Sequence, residues 1–137
     1  MWWIYALLSA FFAALTAIFA KVGVKNIDSD LATAIRTVII LIIVWGIALF
    51  KGEIPGIQNF TKQNWIFLIL SGCATGLSWL FYFRALQIGK VSQVAPVDKL
   101  SVALAILLAV IFLKESVSVK DVIGAVMIIG GTFVLIL

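Results

Sequence analysis

The sequence predicts an all-α integral membrane protein of five transmembrane helices, and three observations predict it. Of 137 residues, 64% are hydrophobic and 12% charged, with no histidine, where a soluble domain carries roughly 45–50% apolar and about 25% charged residues. With a mean hydropathy of +1.24, the chain cannot cover itself with polar surface and needs lipid as solvent. Apolar runs recur at about 2–20, 31–50, 65–84, 94–113 and 119–137, each long enough at 1.5 Å per residue to cross a hydrocarbon core of about 30 Å. Between them lie short polar segments rich in helix caps and breakers.

The same composition excludes other classes. A net charge of +4 is spread along the chain without a basic cluster, so no nucleic-acid partner is expected. Cys73 is the single cysteine, which rules out an intrachain disulfide and reads as a small packing residue. There is no metal-ligand spacing, no nucleophile paired with a base and no glycine-rich phosphate loop. No enzyme, metal or cofactor is expected from such a chain.

The first span opens with Trp2, Trp3 and Tyr5, placed for the interfacial aromatic belt, and ends before Lys21 and Lys25. It lacks a basic segment before its apolar run and is too long for a signal peptide, so it reads as a retained span. Ser9, Ala13 and Ala17 form a small-residue stripe that lets another helix approach closely. Asn26–Asp30 reads as a turn, with Asp28, Ser29 or Asp30 able to cap the second span. That span is clean except for Arg36, about five residues and roughly 7 Å in. Lys51–Asn64 is the longest polar loop, broken by Gly52, Pro55 and Gly56.

The third span carries Gly72 and Gly76 in GxxxG spacing, which reads as helix packing, and Trp79 and Tyr82, large rings with polar tips. Gly89 stands where a C-cap would stop it. The fourth span starts at Ser92 or Pro96, with Ser92 as N-cap putting Pro96 at the fourth helical position. Asp98 and Lys99 fall in its first turns, and Ser101, Ala105 and Ala109 give it a small-residue face. Ser118 and Asp121 match a capping box ahead of the fifth span. These spans make one domain over residues 1–137, without a linker or an internal repeat, so a repeat would need a second chain.

Five spans put the termini on opposite faces. The N-terminal face holds Lys51, Lys62, Lys114 and Lys120, and the other holds Lys21, Lys25, Arg84 and Lys90. Four against four in short loops gives the positive-inside rule nothing to choose between. Either one orientation wins on a weak bias, or the chain inserts both ways and pairs antiparallel. The second outcome would reproduce from two chains the inverted-repeat plan of secondary transporters. Arg36 and Asp98 fall at similar depth, so the geometry allows a pair. The plainer reading is that Arg36 and Lys99 snorkel to the headgroups and Asp98 complements its helix N-terminus.

The run ALQIGKVSQVAPVDKLS, the following apolar helix ending FLKE, and DVIGAVMIIGG resemble an EamA domain of the drug/metabolite transporter superfamily. AIRT in the second span and SGCATGLSWLFYFRAL in the third agree with it. The resemblance implies one five-helix structural repeat, half of the usual ten-helix transporter, and hence two chains per transporter. It also implies alternating-access movement of small organic solutes of amino acid or metabolite type, often outward, across a prokaryotic inner membrane. The matched positions are Pro96, Asp98, Lys99, Ser101, Glu115 and Gly124, with Glu115 architectural. Arg36, Trp79, Tyr82 and Ser101 become candidate cavity-lining residues beside Asp98 and Lys99, and Gly124 joins the packing positions. A proton-coupled small multidrug exporter is one alternative, weakened by a first span without an acidic residue. A non-transporting membrane scaffold is the other, because small-residue stripes serve it equally well.

Overall fold

The computed structural model describes residues 1–137, and it is helical throughout. The helices are α1 (Trp2–Gly23), α2 (Ser29–Phe50), α3 (Lys62–Ile88), α4 (Val91–Asp98), α5 (Leu100–Leu108) and α6 (Val119–Ile136). A short 3₁₀ helix, Ile54–Asn59, sits in the polar loop with Pro55 in its first turn, and α5 runs on into a π-helical turn over Ala109–Leu113. Taking α4 through Leu113 as one span, five helices of 18 to 27 residues are long and apolar enough to cross a membrane. No more than 11% of any span's most apolar window is buried, so lipid or another chain must cover the rest.

Local chemistry sets most boundaries. Asp28 caps α2, its carboxylate accepting from the Asp30 and Leu31 amides at 2.9 and 3.2 Å, so α2 begins at Ser29, two residues earlier than the hydropathy boundary. Thr61 caps α3 through the Asn64 amide at 3.2 Å, a cap the hydropathy pattern did not mark. Ser118 and Asp121 form the expected capping box, with the Ser118 amide donating to Asp121 at 2.8 Å. Gly52 at φ +68° takes the left-handed turn after α2, where a side chain would be strained.

Two expectations for the fourth span are corrected. Its N-cap is Lys90 in extended backbone rather than Ser92, and it makes no side-chain cap bond. Pro96 is therefore the sixth residue of α4, inside the helix. Its ring removes one backbone donor and crowds the preceding turn. The helix ends two residues later at Asp98, with the Lys99 amide shared between Ala95 and Pro96 carbonyls at 3.3 and 3.0 Å. Asp98 thus closes a short helix, eight residues in, instead of opening a long one.

The chain divides into two compact units, Phe19–Gln87 and Met1–Ile18 together with Ile88–Leu137. In the first, Ala20, Val24, Ser29, Phe83 and Leu86 are buried where α1 turns into α2 beside the end of α3. Lys21 Nζ donates to the Leu86 carbonyl at 2.6 Å, and Gln87 Nε2 donates to the Ile27 carbonyl at 2.7 Å. The first satisfies a carbonyl left over at the end of α3, and the second one in the turn between α1 and α2. In the second unit α6 packs along α4 and α5, and Thr132 donates to the Pro96 carbonyl at 3.2 Å and to Ile128 at 2.8 Å. Thr16, Thr33, Thr37 and Thr75 likewise return their hydroxyls to carbonyls four residues back, the local solution for a hydroxyl without water.

Candidate solute-binding site

Arg36 lies in the unit built from Phe19–Gln87, seven residues beyond the start of α2, about 10 Å along the helix axis. Its guanidinium carbon stands 4.3 Å from the Trp79 ring centroid and 5.1 Å from that of Phe83. Trp79 and Phe83 are four residues apart on α3, so their rings share one face of the helix. Phe83 is buried, and Tyr82 meets it edge to face at 6.5 Å between centroids. A guanidinium over aromatic faces is held by the ring quadrupoles, an attraction of about 0.5–1 kcal/mol when exposed and about 2 when desolvated. The site joins Arg36 to Trp79, two of the residues expected from sequence, and adds Phe83, which carried no polar atom to attract notice. Its signal was the spacing of four from Trp79.

The other candidates fall in the second unit and have different partners. Asp98 pairs with its neighbour Lys99 at 3.1 Å across the α4–α5 break. Ser101 lies on an exposed part of α5. Arg36 and Asp98 thus belong to different units, and within its own unit each has a partner, ring faces for the one and an adjacent lysine for the other.

The chain matches the EamA-like transporter family model over residues 1–137. It belongs to the EamA-like transporter family. It is 48% identical over 134 residues to an uncharacterized transporter in the cobO 3′ region of a Sinorhizobium species, covering 98% of this chain and 95% of that protein. An uncharacterized protein of Methanocaldococcus jannaschii is 33% identical over 69 residues, half of each chain. No solved structure matches.

In this EamA-like transporter each unit carries polar groups of its own. The Arg36–Trp79–Phe83 cluster belongs to α2 and α3, while the Pro96–Ser101 segment forms the break between α4 and α5. An open cavity of about 410 Å³ on the first unit is lined by Asp30, Arg84, Leu77, Leu80 and Phe81, and Arg84 donates to Gln87 Oε1 at 3.2 Å. The packing positions differ in exposure. Ala17 is buried whereas Ser9 and Ala13 are exposed, and a Cβ at Gly72, Gly76 or Gly124 would meet nothing within 4 Å.

Proposed function

We propose that this EamA-like protein is a half-size secondary carrier that works as an antiparallel, dual-topology homodimer in a prokaryotic inner membrane. It moves small organic solutes of amino acid or metabolite type, outward, by alternating access. The observation that carries the proposal is a single five-span unit whose two faces hold equal positive charge, Lys51, Lys62, Lys114 and Lys120 against Lys21, Lys25, Arg84 and Lys90. An odd number of spans inverted against a second copy builds two oppositely oriented repeats, the plan on which such carriers rock about a midplane site. Sparse intramembrane charge suits a small solute better than a large, highly charged one.

The test is topological. A reporter fused at the C-terminus is expected on both sides of the membrane, and cysteine crosslinks are expected to trap an antiparallel dimer. Replacing Lys90→Gln leaves four against three in favour of the N-terminal face, so the C-terminal reporter should shift toward the outside. A reporter found on one side only, with parallel crosslinks, removes the homodimer proposal.

A further inference from the structure

We infer that the Arg36–Trp79–Phe83 cluster is the recognition site for the carboxylate of a small monoanionic solute. An ionisable side chain inside a span that faces protein rather than lipid marks a solute or ion path, and Arg36 turns onto α3 at 4.3 Å from Trp79. Three other cations of the same unit engage oxygen acceptors: Lys21 reaches the Leu86 carbonyl, Lys51 pairs with Glu53 at 3.9 Å, and Arg84 reaches Gln87. Arg36, inside a span, has ring faces and the nearby Tyr82 as its partners within the unit, and neither an ion pair nor a hydrogen bond occupies its N–H groups.

The chemistry follows from that geometry. A ring face attracts the cation but accepts none of its N–H groups as an oxygen would, so the donors of the guanidinium remain available to an acceptor. Two rings hold the group in place in advance, so less conformational entropy is lost when an acceptor arrives. A carboxylate matches the guanidinium fork with two parallel charge-assisted bonds. One guanidinium balances one negative charge, which favours a monocarboxylate over a doubly charged phosphate. Cations are repelled, and neutral amides gain hydrogen bonds without the charge.

The inference gives the proposed carrier its substrate class and rests on that reading for its purpose, yet binding is measurable without transport. Purified full-length protein is titrated with acetate, butyrate and phenylacetate, and with acetamide, butyramide and phenylacetamide, while tryptophan emission is followed. Saturable binding of the carboxylates is expected, with the amides about tenfold weaker or more, since bonds to charged groups are roughly twice as strong as neutral ones. Arg36→Gln should bring the carboxylates down to the level of the amides, and Arg36→Lys should keep the preference at lower affinity. Equal responses to acid and amide, no saturable response to any carboxylate, or a preference surviving Arg36→Gln overturns the inference. The wild-type comparison stands even where Arg36→Gln fails to fold. If Arg36→Gln abolishes dimer crosslinking while wild type binds none of the acids, Arg36 serves a second copy of the chain and the inference falls. Counterflow in proteoliposomes separates the two ideas. Carboxylate binding without flux removes the carrier and keeps the anion site, whereas flux indifferent to solute charge and to Arg36→Gln does the reverse.

Discussion

Leu86 is fully buried at 0% exposure, at the centre of the cluster that joins the α1–α2 turn to the end of α3. Truncating it to alanine tests whether this cluster is the core of its unit, and in which solvent the separated helices wait. In water, Leu→Ala in a well-packed core costs about 2.7–5.0 kcal/mol. At about 0.8 kcal/mol per buried carbon, the three lost carbons account for about 2.4 kcal/mol of that as transfer from water. Helices separated in a bilayer keep the side chain in hydrocarbon, so the transfer part largely drops out and the packing part remains. The expected loss for Leu86→Ala is therefore about 0.5–2.5 kcal/mol. Unfolding by SDS in mixed micelles, followed by tryptophan emission, measures it. Leu70→Ala is the control, because Leu70 is 57% exposed on α3 and should change stability by no more than about 0.5 kcal/mol. Indistinguishable values for the two variants would refute this cluster as a core, and a loss above about 4 kcal/mol for Leu86→Ala would refute lipid as the reference solvent.

Other outcomes follow from single contacts. Thr132→Val removes the hydroxyl shared between Pro96 and Ile128 and should cost about 0.6 kcal/mol, and no more than about 1.7, in the same SDS titration. It should also speed amide hydrogen exchange around Lys99, because the Thr132 hydroxyl ties the Pro96 carbonyl, one acceptor of the Lys99 amide, to α6. Gly72→Leu places its Cβ where nothing lies within 4 Å, so helical circular dichroism of the chain should be unchanged. If the GxxxG stripe of α3 serves assembly, the same variant should lower the dimer fraction in crosslinking.

Several features were legible before any tertiary structure. The five spans follow from hydropathy alone, since an apolar run of that length has no alternative in lipid to a helix that satisfies its own backbone. A cap at Asp28, Ser29 or Asp30 and the Ser118–Asp121 box were also legible, each being a bond among residues within three positions of one another, and the structure settles the first on Asp28. The fourth span was read less well. Pro96 was visible, but the helix around it starts at Val91, which put the break at Lys99 rather than a clean start near Ser92.

Long-range partnerships are what the tertiary structure decided. Arg36 had three readings in sequence, snorkelling, pairing with Asp98 or lining a cavity, because depth along a helix does not say which neighbour a side chain meets. Packing of α2 on α3 gave it Trp79 and Phe83. The Gln87 bond to Ile27 spans 60 positions and the Thr132 bond to Pro96 spans 36, separations at which no periodicity carries information. The sequence by itself determined that this chain lives in a membrane, how many times it crosses and where α6 is capped, because lipid and local hydrogen bonding act on each segment alone. The tertiary structure determined which rings face which charge, because that depends on how separate segments meet.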